Sequence, residues 1–352
     1  MSGRHGNIPR ASEPAWLRTS VLARRIVTDL PIPQLSWWSN IVEVLHWPSH
    51  GGLLGALVAA LRTVRLSWSA DAFIGSTLRN TLALGLFKRL TGRARPVIVL
   101  TETRLDDPLP GWRWRFKVAV QRYAFQAVDL VCVSARKEGE AYARRLGLPV
   151  DRFRFVPWHT NVLTPRVVPA IGCYVFAAGR TGRDWRTLAA AVSGLDLPVT
   201  VVCSPEDAAT IGFSANVNVS SDVPYATYRQ LLEGASIVVV PLEPHVYSSG
   251  QVVILEAMAM GKAVVVTRAV GSEDYVEDEI DGLLVEQGDA TGMRAALLRL
   301  HRDHSLRLAL GEAALTKVLH RHTLEYYASH LLQIVEQVTA CSHAAVGRRS
   351  GR

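Results

Sequence analysis

In the stretch SSGQVVILEAMAMGKAVVV, Ser248 to Val266, one carboxylate, Glu256, stands among apolar residues that run from Val252 to Met260. Gly261 follows, a residue suited to the left-handed turn that closes a helix. A helix that is apolar all round is buried on most faces. An ionised carboxylate buried without partners costs on the order of several kcal/mol, so Glu256 must be hydrogen-bonded. Two readings are open. In one it is structural, held by an arginine, by backbone or by an exposed edge. In the other it takes a pair of ligand hydroxyls, such as those of a ribose. The loop before it, Ser248, Ser249, Gly250 and Gln251, sets small side chains and free N–H groups at a helix start, where the dipole favours phosphate. The same loop also reads as a plain serine cap and glycine turn. With Glu256 little more than a turn further on, it could hold the phosphate and sugar ends of one nucleotide.

A second cluster lies in FAAGRTGRDWRTL, where Gly179, Arg180 and Arg183 follow a strand-like run. Guanidinium matches phosphate oxygens in bidentate fashion; a solvated loop is the alternative. Glu102, in PVIVLTETR, is a loop acid and reads as solvated. His320 and His322, and His301 and His304, lack a further ligand at metal spacing, so no metal site is expected. His159 and His245 read as local contacts. Gly261-Lys262 is no phosphate loop, because Glu256 holds the upstream glycine position. The four cysteines, Cys132, Cys173, Cys203 and Cys341, show neither metal nor disulfide spacing and read as small hydrophobes in a reducing compartment. No cofactor is called for.

These residues need a frame. DAFIGS, PVIVLT, DLVCVS and RFRFVP read as strands, separated by the helical TLRNTLALGLFKRL, GWRWRFKVAVQRYAFQA and ARKEGEAYARRLG. After a proline-broken stretch, YVFAAG, PVTVVC, NVNVS, SIVVVPL, AVVVT and GLLVE alternate with further helices. Such alternation with continuous apolar strands implies parallel sheets covered on both faces. The expected organisation is a tail over 1–20, a Rossmann-like domain over 21–160, a linker over 161–172, a second Rossmann-like domain over 173–320, a helix over 321–340 packing back toward the first domain, and a basic tail over 341–352. Two doubly wound α/β domains facing a central cleft put a ligand outside the carboxyl ends of the strands. GGLLGALVAAL, Gly51 to Leu61, is shorter than the ~20 apolar residues of a membrane span and reads as a core helix. The N-terminus shows no secretory apolar segment, which points to the cytoplasm.

The formal charge of +8 suits an anionic partner or mere solubility. GWRWRFKVAVQRYAF, Gly111 to Phe125, interleaves basic and aromatic residues. Such a helix either lies on an anionic bilayer, at the inner face of the cell membrane, or turns its aromatics to the core. No nucleic-acid module is recognised.

PLEPHVYSSGQVVILEAMAMGKAVVVTRAVGSEDYVEDEIDGLLVEQGD resembles the donor-binding domain of GT-B glycosyltransferases of family 4 (group 1). The likeness rests on Pro241, Gly250, the LEAMA block from Leu255 to Ala259, Gly261, Val264 and Gly282 to Val285. It covers Tyr174 to Val335 well and Asp71 to Pro157 more loosely. It implies a GT-B fold and a metal-independent, retaining transfer from a nucleotide-diphosphate sugar to a hydroxyl acceptor, a sugar or lipid-linked sugar, in polysaccharide or glycolipid assembly. It implies that Glu256 binds the ribose, that Arg180 and Arg183 neutralise the diphosphate, and that Gly179, Ser248, Ser249, Gly250 and Gln251 border the donor. Two departures stand out. Ser248 holds the position of the first glutamate of the family's E-x7-E pair, and Thr101-Glu102 stands where His-Asp is usual, a place from which the resemblance gives Glu102 a contact with the acceptor or donor sugar. They keep two alternatives open: a non-catalytic nucleotide-sugar-binding subunit, and an epimerase or hydrolase on the same scaffold.

Overall fold

The computed structural model describes residues 25–45, 52–101, 104–105 and 110–350. Glu102 and the expected tail over 1–20 lie outside the described residues. The chain forms two compact units. The first takes the chain up to Val133, Gly139–Val156 and the chain from Ala328 on; the second takes Ser134–Glu138 and Pro157–Tyr327.

The first unit is built on β1 (Ile26–Thr28), β2 (Val42–Val44), β3 (Ala72–Gly75), β4 (Val97–Leu100), β5 (Leu130–Val133) and β6 (Phe153–Phe155), all parallel in the order β2-β1-β3-β4-β5-β6. Its helices are the short α1 (Trp38–Ile41), α2 (Gly52–Ser67), α3 (Leu78–Thr91), α4 (Trp112–Phe125) and α5 (Arg136–Leu146), the last shared with the second unit at its start. Every residue of β3, β4 and β5 is buried, as continuous apolar strands covered on both faces require. Phe73, Leu84, Ile98, Leu100 and Phe125 form the centre of this core. Strands β1 and β2 were not foreseen: each is three residues long, and Asp29 and Pro31 break the apolar run after β1. Helix α2 corrects the expectation of a core helix at Gly51 to Leu61. It buries Thr63, Val64 and Ser67 but exposes Leu57, Val58 and Leu61.

The second unit holds β7 (Val175–Ala178), β8 (Val199–Cys203), β9 (Val217–Ser221), β10 (Ile237–Val240), β11 (Ala263–Thr267) and β12 (Leu283–Val285), all parallel in the order β12-β11-β10-β7-β8-β9. Its helices are α6 (Trp185–Val192), α7 (Pro205–Thr210), α8 (Tyr225–Gly234), α9 (Gln251–Ala259), α10 (Ser272–Tyr275), α11 (Ala290–Arg302) and α12 (His304–Arg321); α13 (Leu324–Ser350) ends the chain. One face of the sheet packs α9 with Ala314 and Val318 of α12. The other packs Trp185 and Leu188 of α6 with Met293 and Leu297 of α11. Helix α12 approaches the end of α9 so closely that a Cβ on Gly311 would lie 2.1 Å from the Gly261 carbonyl oxygen.

The stretch over 161–172, expected as a linker, is counted with the second unit. Its Arg166 and Val168 N–H groups donate to the Ala259 and Met260 carbonyls. Lys262, 3% exposed, donates to the carbonyls of Val168 and Glu233. His322 is buried with its ring against the Trp158 carbonyl, and His159 stacks on Trp158.

Candidate functional site

The strand order of the second unit reverses between β7 and β10, and in such sheets a ligand sits outside the carboxyl ends at that point. Two loops meet there. The loop after β7 is laced to the loop after β10: Asp184 N–H donates to the Pro241 carbonyl and Glu243 N–H to that of Gly182. Asp184 then caps α6 by accepting from Thr187 N–H. Arg183 folds back beneath the loop, its Nε donating to the Ala178 carbonyl (3.0 Å) and its Nη1 to that of Thr181 (2.9 Å). Burial pulls its pKa down to about 10, so it stays a cation at neutral pH. Position 179 must be glycine: its φ is +148°, and a Cβ would lie 2.3 Å from Arg183 Nε.

Beside this loop a cavity of about 310 Å³ opens at the ends of β7 and β8. Gly179, Arg180, Val202, Cys203, Asp222, Tyr225, Tyr228, Val252 and Val253 line it. Arg180 thus reaches the cavity, where it pairs with Asp222 (2.6 Å) with both side chains largely solvated. Arg183 supports the loop from inside. The cavity also abuts the start of α9, whose N-cap, Gly250, offers no capping side chain. Gln251, the first residue of α9, has its Nε2 buried with no hydrogen-bond partner. Ser249 faces the neighbouring loop, its Oγ 3.1 Å from where a Gly182 Cβ would stand.

Glu256 is fully buried. Its carboxylate is held by neutral donors: Asn161 Nδ2 (3.1 Å) and Tyr225 Oη (3.0 Å) on Oε1, and Tyr228 Oη (2.7 Å) on Oε2. The two tyrosines, one turn apart on α8, share a face, stack on each other and stand in the cavity wall. Burial, and next the charge of Glu256, raise the pKa of both phenols, which keeps them protonated as donors. Sequence reasoning found the need for partners but missed Tyr225, Tyr228 and Asn161. The Tyr-x-x-Tyr spacing in α8 was the available signal.

Ser248 meets a carboxylate of its own. Glu138, buried, accepts from the N–H groups of Ser134, Ala135 and Ser248, all at 3.1 Å. Ser134 Oγ and Ser248 Oγ lie 2.7 Å apart. Glu138 reaches back over the first turn of α5, as a glutamate near a helix start does. Thr101 is buried, its Oγ1 donating to the Gly75 carbonyl. Among the described residues no cluster of three or more His, Cys, Asp or Glu could hold a metal.

Residues 183–303 match the family model for Glycosyl transferases group 1. That stretch is similar to the glycosyltransferase group 1 domain. The domain contains Arg183, α8 and the LEAMA helix α9, while Gly179 and Arg180 stand just before it. A lipopolysaccharide core biosynthesis glycosyltransferase, LpsE of Rhizobium meliloti, is 35% identical over 83 residues, 24% of this chain and 24% of LpsE. A sucrose synthase of Acidithiobacillus caldus is 32% identical over 111 residues, 30% of this chain and 14% of that protein. The match thus spans about a quarter or less of either relative. Among solved structures, Anabaena HepE in complex with UDP-glucose aligns at TM-score 0.64 and 16% identity, over 89% of this chain and 91% of that one. A sucrose-phosphate synthase from Thermosynechococcus elongatus aligns at 0.63 and 18%, over 85% and 84%. At these identities the likeness is one of fold: the chain has an α/β, two-domain GT-B architecture.

Proposed function

We propose that this chain is a family 4 glycosyltransferase that moves a sugar from a nucleotide-diphosphate sugar to a hydroxyl acceptor with retention, in polysaccharide or glycolipid assembly. The observation that carries the proposal is the cavity at the β7–β8 ends, bordered by Arg180 and by Val252 and Val253 at the uncapped start of α9, where the neighbouring Gln251 amide is buried without a partner. A cation, free N–H groups and an amide donor together form a diphosphate cradle. The named function of LpsE and the UDP-glucose bound to HepE support the same direction.

In this reading Arg180 leaves Asp222 for the diphosphate, while Arg183 holds the loop that presents Gly179. Positive charge concentrated on the departing diphosphate lowers the barrier to breaking the sugar C1–O bond, with no metal needed. The acceptor hydroxyl attacks from the leaving-group face and its proton passes to the diphosphate. Glu256 takes the ribose once Tyr225, 56% exposed, swings off Oε1, while Asn161 and Tyr228 keep the carboxylate aligned. The protein acts in the cytoplasm and meets an anionic membrane through 111–125.

The test is titration calorimetry with uridine and guanosine diphosphates and their sugars, followed by product analysis with lipid-linked acceptors. One nucleotide series should bind, and Arg180→Ala should weaken it at least about tenfold, roughly 1.4 kcal/mol. Absence of binding by every nucleotide would overturn the proposal. A second reading, a binding subunit without turnover, is favoured by the serine at 248 beside the saturated Glu138. Donor binding with neither transfer nor hydrolysis would select it.

A further inference from the structure

Among the described residues that line the cavity at the ends of β7 and β8, Arg180 is the one cation and Asp222 the one acid. They pair with each other at 2.6 Å. The cavity runs across neighbouring strand ends, in the order β10-β7-β8-β9. Arg180 follows β7, and α9 begins after β10; Val202 and Cys203 end β8, and Asp222 and Val223 follow β9. Asp222 therefore stands two strand spacings, about 10 Å, from the end of β7. In the donor reading, on which this inference rests, the diphosphate lies at the β10–β7 side and the ribose goes to Glu256. The far side, at β9, is left for the base. Val202, Val223 and the ring of Tyr225 supply flat apolar surface there.

Once Arg180 turns to the diphosphate, the Asp222 carboxylate faces the base with no cation beside it. An ionised carboxylate only accepts hydrogen bonds, and it takes two donors side by side. Guanine alone of the common bases presents such a pair, N1–H and the 2-amino group. Uracil sets its one N–H between two carbonyl oxygens. Adenine and cytosine place a ring-nitrogen lone pair beside their amino group. Each of these three sets an acceptor against the carboxylate. We infer that Asp222 reads the nucleobase and selects guanine, so that the donor is a guanosine-diphosphate sugar.

Titration calorimetry of the full chain compares guanosine, inosine, uridine and adenosine diphosphates. The guanosine form should bind at least about tenfold more tightly than the uridine and adenosine forms. Inosine diphosphate keeps N1–H but lacks the 2-amino group and should fall between them, a comparison that needs no variant. Asp222→Asn should weaken guanosine diphosphate at least about tenfold, yet leave uridine diphosphate as tight as before or tighter, because Arg180 is freed of its acid. Asparagine tolerates the left-handed backbone at 222, where φ is +51°, so Tm and circular dichroism should hold. Tighter binding of the uridine or adenosine form than of the guanosine form would overturn the inference and leave the donor reading standing. Equal weakening of every nucleotide by Asp222→Asn would also overturn it, since Asp222 would then serve only to place Arg180. Absence of binding by all four would overturn the donor reading and the inference with it.

Discussion

Three donors converge on Glu256, and they are unequal. Tyr228 is partly buried and gives the shortest bond, while Tyr225 is more than half exposed. Tyr228→Phe removes a hydrogen bond to a buried carboxylate and should cost about 1.5–3 kcal/mol in denaturant unfolding. Tyr225→Phe should cost less, because Tyr225 itself is more than half exposed and its hydroxyl also has water to bond. Ser248 supports a sharper expectation. Ser248→Glu introduces an acid where this chain has serine, and sets it against Glu138 and its saturated donors. It should lower Tm, and Glu138→Ser should restore part of the loss; additive losses would show that the two positions do not interact. The sequence showed that Glu256 needed partners, because a lone acid in an apolar helix has few physical outcomes. It could not show which partners, since Asn161, Tyr225 and Tyr228 come from other elements and meet the acid only after α8 packs on α9.

Helix α12 is fixed to the turn after α9 by a close approach. Gly311→Ala would drive a methyl into the Gly261 carbonyl and should cost about 1–3 kcal/mol or more, read as a fall in the denaturation midpoint. The segment that joins α12 to the stretch after β6 carries a pH dependence. Burial chiefly holds the pKa values of His159 and His322 below the ordinary 6.5. In the folded chain both stay neutral where the unfolded chain takes up a proton. Their contribution to stability is therefore present above pH 6.5 and is lost as pH falls below 6.5 toward the depressed folded values. Tm should drop over that window, and His322→Asn should flatten part of the drop. Most elements were legible because their apolar runs were continuous and bounded by turn residues. β1 and β2 were not, since three residues are too few for periodicity to show. The span over 161–172 read as a linker from its prolines, but its backbone finds acceptors at the end of α9.

For the whole molecule, two separately cored units make ligand effects local. A nucleotide diphosphate at a hundredfold excess over its Kd should add about 2.7 kcal/mol to the second unit. Hydrogen exchange should slow in α8, α9 and the loop after β7, while β3 to β5 exchange as before. Equal slowing in both units would contradict the assignment of the cavity. The net charge of +8 was legible as suited to an anionic partner or to mere solubility, and charge alone does not say where it lies. The structure places nine Lys or Arg and no Asp or Glu on α2 to α4, beside exposed apolar side chains; the sequence had sent those of α2 to the core and left those of α4 open.

From Ala328 the chain belongs to the unit whose strands were laid down first, with Leu331, Leu332, Ile334 and Val335 buried and Arg154 bonded to Gln337 at 3.0 Å. On the ribosome, that unit must wait through synthesis of the entire second unit before its last helix emerges. Closing so long a chain loop is entropically slow to nucleate, and the waiting nascent chain shows apolar surface to the cell. A stop codon just before Ala328 would spare every strand of both sheets and yet leave the earliest-made half unfinished and prone to aggregate.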